Sequence, residues 1–374
     1  MKLGVVILAA GQGTRMRSAL PKVLHPLAGQ PLLAHVLAAA QQLGAERTCV
    51  VYGHGGESVP SALAGAACTW VEQAERLGTA HAVIQGMPAM EGMDRVLVLY
   101  GDVPLIRPET LGRLVADAAD QPLGLLTMHL ADPTGYGRIV RDHDGRMLRI
   151  VEHKDATAAE LGIQEVNTGI ILADRARLGD WLGRVGNANS QGEYYLTDVV
   201  GLAVAEGAEV ASTQPEFPEE VAGVNDRVQL AQLERWHQAR EAERLMRAGV
   251  TLLDPARFDL RGRLEVGQDV TIDINCVFAG MVGLGDRVRI GPTCCLRDCT
   301  LGPDTQVFAN CVIDGAKVGS GALVGPFSRL RPEADLADAT HVGNFVEIKK
   351  AQVGQGSKVN PMPDIGDARI GSGV

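Results

Sequence analysis

The chain has 374 residues, 46% of them hydrophobic, and a formal net charge of −10, which allows two or three domains with real cores. Its acidic balance argues against a nucleic-acid surface, and no apolar run approaches the roughly twenty residues that cross a bilayer. Strand-like sequence begins at once, with no apolar export segment, so a cytoplasmic protein is expected.

The run Gly4–Ala10 is short and almost wholly apolar, the pattern of a strand buried on both faces. It feeds a glycine-rich turn, Gly11-Gln-Gly13-Thr14-Arg15, with Lys22 seven residues beyond Arg15. Backbone N–H groups in such a turn close on an anion, and two cations add charge for a polyphosphate. The plain alternative is a tight strand-to-helix turn with two surface cations. Neither a dinucleotide-binding loop nor a Walker loop fits, since Met16 stands where a third glycine is needed and Gly-Lys-Ser/Thr is absent.

Strand-like runs at Arg47–Tyr52, Val96–Tyr100, Leu123–His129 and Asn167–Leu172 alternate with helical patterns such as Leu32–Leu43 and Pro108–Ala119. This predicts an α/β domain on a largely parallel sheet over residues 1–225, with ligands beyond the carboxyl ends of the strands. Asp102 in Tyr100-Gly101-Asp102-Val103-Pro104 follows one such strand, where a carboxylate suits Mg²⁺ held by few protein ligands, or a plain turn before proline. Residues 226–249 read as one connecting helix, charged and free of internal Gly and Pro, stopped by Gly249. From 250 to 374 aliphatic residues recur every six positions, through Val312, Val318, Val324, Leu330, Leu336, Val342 and Ile348. That period means a parallel β-helix. The seven cysteines form no C-x-x-C pair, and Cys294, Cys295 and Cys299 read as reduced thiols rather than a metal cluster.

Leu8-Ala9-Ala10-Gly11-Gln-Gly13-Thr-Arg15-Met, followed by Leu20-Pro-Lys22-Val-Leu-His, resembles the signature of sugar-1-phosphate nucleotidyltransferases. With Gln73-Ala-Glu-Arg-Leu-Gly78-Thr79, Gly135-Tyr-Gly137-Arg, Val151-Glu152-His153-Lys154-Asp155, Glu165-Val-Asn167, Gly192–Asp198, Gly223-Val-Asn225 and the hexapeptide tail, the chain resembles the bifunctional N-acetylglucosamine-1-phosphate uridylyltransferase / glucosamine-1-phosphate N-acetyltransferase family. The resemblance implies a Rossmann-like nucleotidyltransferase domain, a linker helix and a left-handed parallel β-helix that forms homotrimers. It implies that Leu8, Ala9, Ala10, Gly11, Gln73, Gly78, Thr79, Tyr100 and Gly101 contact the nucleotide. Gly137, Glu152 and Asn167 are then expected on the N-acetylglucosamine moiety, and Asp102 and Asn225 on Mg²⁺. Arg15 and Lys22 take the catalytic charge on pyrophosphate. His153 and Lys154 read as a solvated face, and the role of Gly192–Asp198 stays open. The expected partners are UTP and N-acetylglucosamine-1-phosphate, for cell-wall and lipopolysaccharide precursors.

In the second half, Arg331 and Lys349 match the family's sugar-phosphate residues. The family's proton-accepting histidine after Lys358-Val-Asn360 is Pro361 here, its tyrosine is Asp364, and Pro363 replaces a small hydroxyl residue. Proline cannot be a general base, and two prolines are expected to remove ladder donors from a rung. The last rung, Asp367–Val374, stops mid-pattern, before the coils that bind acetyl-CoA in relatives. Little or no acetyltransferase activity is therefore expected, with acetyl-CoA a co-substrate only if that activity survives on Asp364. The competing readings are an acetyltransferase with a relic first domain, a trimeric nucleotide-binding scaffold, and another sugar or nucleotide preference.

Overall fold

The computed structural model describes residues 1–53 and 56–374, in two compact units. One comprises Met1–Pro26 with Pro31–Leu233, the other Leu27–Gln30 with Glu234–Val374.

The first unit is built on a nine-stranded sheet: β1 Leu3–Ala9, β2 Arg47–Gly53, β3 Thr69–Gln73, β4 Arg95–Tyr100, β5 Leu123–His129, β6 Arg138–Arg141, β7 Met147–Val151, β8 Glu165–Asp174 and β9 Val210–Thr213. The central order is β9-β5-β8-β4-β1-β2-β3. Strand β1 lies between two parallel partners, β2 and β4, so all seven of its residues are buried. Its side chains alternate between two cores. Val6 and Leu8 pack with the helices Thr79–Gly86 and Asp198–Ala205, while Val5, Ile7 and Ala9 pack with Leu32–Gln42 and Pro108–Asp117. The continuous apolar run thus follows from a sheet covered on both faces.

Strand β8 departs from the parallel expectation, running antiparallel between β4 and β5. Its amino-terminal half therefore lies at the same end of the sheet as the carboxyl ends of β1, β2 and β4. Its register against β5 slips between Asn167 and Ile171, a bulge that re-aims side chains at a sheet end.

In the second unit short parallel strands stack into coils. Val307, Val324, Val342 and Val359 lie in register 17 or 18 residues apart, as do Ile313, Leu330, Ile348 and Ile365. This is a parallel β-helix with three faces per coil. Corners require left-handed backbone, adopted by Asp304, Asn310, Phe327, Glu333, Ala339 and Phe345 among others.

The six-residue step shortens to five at several places, between Leu296 and Leu301, Ile313 and Val318, and Ile348 and Val353, all of them buried. Val312 is 41% exposed, and Ile313 fills the interior instead. One face of that coil is a residue short, which shifts the inward position by one. Pro361 also corrects an expectation. Strand pairing runs through Lys358–Val359 and resumes at Asp364–Gly366, leaving Pro361 at a corner. By register the same corner carries Pro326 two coils earlier and Pro292 four coils earlier. The corner accommodates proline, and the ladder is intact.

Candidate active site

Three segments far apart in sequence meet beyond the carboxyl end of β4. The turn Lys22–Leu24 is anchored by buried Val23 and Leu24, leaving Lys22 free to reach inward. Asp102 sits in a tight turn closed by Val103 N–H on the Tyr100 carbonyl, 3.1 Å. Its own carbonyl accepts the Val224 N–H at 2.8 Å, which brings the next residue, Asn225, alongside. Asn225 is steadied in turn, its N–H donating to Gln229 Oε1 at 2.8 Å. The Lys22 ammonium donates to Asp102 Oδ2 and lies 3.4 Å from Asn225 Oδ1. Lys22 and Asp102 are only 10% and 18% exposed, so solvent screens this pair weakly. A carboxylate and an amide oxygen, the donor types that could hold a hard cation, thus share one ammonium.

The Lys22 and Asp102 side chains line a cavity of about 240 Å³. Leu8, Ala9, Ala10 and Gly11 from the end of β1, Gln73, Gly78, Thr79 and Tyr100 complete the predicted part of its wall. Gln73 ends β3 and is 3% exposed; its Nε2 donates to the Gly78 carbonyl at 3.3 Å and faces His81 Nδ1 at 2.9 Å. Gly78 has φ +113, and a Cβ there would lie 2.5 Å from the Tyr194 carbonyl oxygen. Only glycine lets the turn pass so close to that backbone. Gly101 is buried behind Asp102, facing Ala9, Val23 and Leu33. A larger groove, about 870 Å³, opens at the amino end of β2 around Glu46 and Arg47, at the other end of the sheet.

A second cluster adjoins the first through Tyr100. The Asn167 N–H donates to the Gly137 carbonyl at 2.9 Å, and Gly137 lies against the Glu152 carboxylate. The Tyr100 ring packs on Gly169, two residues past Asn167, whose Oδ1 accepts the Gly169 N–H. Burial, then the charges of Glu152 and Asp102, push the Tyr100 hydroxyl well above its usual range. The Tyr100 ring thus stands between the two clusters, lining the cavity and packing on Gly169. Burial likewise raises Glu152, against the lowering effect of the Thr197 hydroxyl, which donates to its Oε1 at 2.9 Å.

Arg15 stands apart: it is exposed on the turn Thr14–Met16, outside the cavity wall, though Met16 beneath it is 1% exposed. In the second unit, Arg331 donates to Glu347 Oε1 at 2.8 Å, and its backbone N–H bonds the Ile348 carbonyl, next to Lys349. Pro361 and Asp364 are exposed, with Asp364 in register with Glu347. Cys294 and Cys299 are buried, and burial raises the Cys299 thiol to about 12. Among the described residues no three His, Cys, Asp or Glu converge on one point.

Sequence reasoning missed how residues 193–197 tie the site together. Tyr194 N–H donates to the Leu77 carbonyl and its carbonyl accepts the Ala80 N–H, at 2.8 and 2.9 Å. The Leu196 N–H donates to Thr79 Oγ1 at 2.9 Å, and the next residue, Thr197, holds Glu152. Glu193 and Arg76 also line the cavity. The signal was present in the motif Gly192–Asp198, but its spatial partners lie too far off in sequence to be read.

A glycine-bearing loop after β1, a strand-end carboxylate and a cation position beside them, on a doubly wound sheet, define a nucleotidyltransferase. The family model of the MobA-like NTP transferase domain matches residues 5–252. The crystal structure of UDP-glucose pyrophosphorylase complexed with UDP-glucose superposes with TM-score 0.53 at 16% identity, over 64% of this chain and 100% of that one. That likeness is one of fold. The bifunctional protein GlmU of Methylococcus capsulatus is 56% identical over 375 residues, covering 100% of this chain and 81% of that protein. The bifunctional protein GlmU of Pseudomonas putida is 57% identical over 372 residues, covering 100% and 82%. The chain belongs to the bifunctional GlmU family. No helix among the described residues is long and apolar enough to cross a membrane.

Proposed function

We propose that this chain transfers UMP from UTP to N-acetylglucosamine-1-phosphate, releasing pyrophosphate and forming UDP-N-acetylglucosamine. The observation that carries the reading is the convergence of Lys22, Asp102 and Asn225 on one point beside the Gly11 loop and the Gln73–Thr79 turn. A phosphate oxygen of the sugar phosphate attacks the α-phosphorus in line, and the bond to the pyrophosphate oxygen breaks. Such chemistry asks the protein for position and charge rather than for a covalent partner.

The donor set fits a divalent cation, since two hard oxygens on a backbone-braced pair already hold a cationic group. Asp102 and Asn225 are the residues that would hold Mg²⁺, which supplies charge neutralisation to the phosphates when bound. Gln73, Gly78 and Thr79 hold the uracil; Leu8, Ala9, Ala10 and Gly11, with Tyr100 and Gly101, cradle the nucleotide. Glu152, Gly137 and Asn167 orient the sugar through its hydroxyls. Lys22, together with Arg15 on its exposed turn, neutralises the leaving pyrophosphate.

In this reading residues 1–225 carry uridylyl transfer, 226–249 link, and 250–374 form the acetyltransferase-type β-helix, through which the chain forms homotrimers. Arg331 and Lys349 would grip a sugar phosphate there, but Pro361 offers no base, so acetyl-CoA is not turned over. Paired assays on the same protein test the division of labour. With Mg²⁺, pyrophosphate appears from UTP plus N-acetylglucosamine-1-phosphate, and no CoA appears from acetyl-CoA plus glucosamine-1-phosphate. CoA without pyrophosphate would reverse the assignment, making the first domain the relic.

A further inference from the structure

We propose that Lys22 is a tethered competitor for the metal: before nucleotide arrives its ammonium holds the place between Asp102 and Asn225, and the metal gains that place only as the ammonium moves onto phosphate. This rests on the reading above that Asp102 and Asn225 are the metal's protein ligands.

The ammonium already contacts Asp102 Oδ2 and stands 3.4 Å from Asn225 Oδ1. A divalent cation would draw on the same two oxygens at about 2.0–2.6 Å, and the ammonium opposes it by like charge and by taking the space between them. The backbones that carry the two donors are tied to each other. The Val224 N–H on the Asp102 carbonyl locks their backbones together, and Gln229 braces Asn225.

Lys22, by contrast, can move. Its backbone turn is anchored by buried Val23 and Leu24, while the charge rides on a flexible four-carbon stem. The stem lies against Gly13, and the ammonium ends about one contact distance from Gly11, 4.0 Å from where a Cβ on that residue would stand. Rotation of the terminal torsions alone therefore carries it between the carboxylate and the loop. A polyphosphate on that loop attracts the ammonium and vacates the oxygens. Nucleotide and metal then bind with positive cooperativity, because each favours the same position of Lys22.

Titration of the full chain with Mn²⁺ in the absence of nucleotide, following free Mn²⁺ by electron paramagnetic resonance, tests this without reading turnover. Lys22→Met and Lys22→Gln each remove the ammonium, and both should bind Mn²⁺ about tenfold or more tightly than the unaltered protein. Arg15→Met deletes an equal charge from the same loop but nothing from between the oxygens, and should change affinity by less than about threefold. Adding Asp102→Asn to Lys22→Met should abolish the gain. Unchanged affinity in both Lys22 variants would overturn the competition, as would an equal gain in Arg15→Met, which would reduce it to bulk charge. A gain that survives Asp102→Asn would show the metal to sit elsewhere, and would overturn the ligand assignment along with the proposal.

Discussion

The Thr197 hydroxyl donates to Glu152 Oε1 at 2.9 Å, joining the start of the helix Asp198–Ala205 to the residue just after β7. Burial raises Glu152, Thr197 lowers it, and the nearby charges of Asp198 and Asp155 raise it again. Removing the hydroxyl therefore raises it further. Thr197→Val should increase KM for the sugar phosphate about tenfold or more, the cost of a hydrogen bond to a charged group. The acid limb of kcat/KM should also move to higher pH, because the carboxylate form is lost sooner as pH falls. Thr197→Ser should restore both, and steady-state kinetics across pH reads the outcome. An unmoved acid limb would reduce Thr197 to a packing residue.

Gly78 meets the Tyr194 backbone at a distance no side chain tolerates, with φ +113. Gly78→Ala should push residues 193–197 away from the turn and cost about 1–3 kcal/mol of stability. KM for UTP should rise more than KM for the sugar phosphate, since Gln73 loses its neighbour first. Thermal unfolding and initial rates check the two effects separately.

The displaced hexad gives a test of register. Ile313 is fully buried while Val312 is 41% exposed. Ile313→Ala should cost about 2–5 kcal/mol, whereas Val312→Ala should stay within about 0.5 kcal/mol. Denaturant titration of the two variants distinguishes this register from the strict six-residue step, which would reverse the order.

Arg141 grips Glu165 with two hydrogen bonds, 2.8 and 2.7 Å. Burial raises the Glu165 carboxyl, but the bonds from Arg141 and Thr127 outweigh it and hold it below the usual range. A depressed carboxyl stabilises the fold above the unfolded-state range and loses that contribution as pH falls through the folded one. Glu165→Gln should therefore destabilise the protein clearly at neutral pH and progressively less below about pH 4.3, the ordinary glutamate value. Urea titrations at several pH values measure the difference.

The sequence made some of this legible for physical reasons. A strand flanked by parallel partners must be apolar throughout, so β1 and the loop after it could be read directly, and Asp102 with them. A β-helix repeats its inward position, so the second unit could be read from periodicity. The short step from Ile313 to Val318 could not, because a one-residue slip at a corner leaves valine beside isoleucine and both look fit for the interior. The Lys22–Asp102–Asn225 cluster depends on contacts across 80 and 203 positions, and nothing local encodes it. The antiparallel course of β8 was hidden as well, since a strand buried between two others looks alike in either direction. Thr197 lay in a motif whose partner, Glu152, follows a strand 45 positions earlier.

The central claim is a specific bond-forming reaction, and mass spectrometry of its product tests it most directly. The protein is incubated with UTP, N-acetylglucosamine-1-phosphate and Mg²⁺. UDP-N-acetylglucosamine and pyrophosphate should form in equal amounts, and Lys22→Ala should slow turnover by about 10²–10³. Absence of the sugar nucleotide, or UMP appearing at the same rate without the sugar phosphate, would contradict the account.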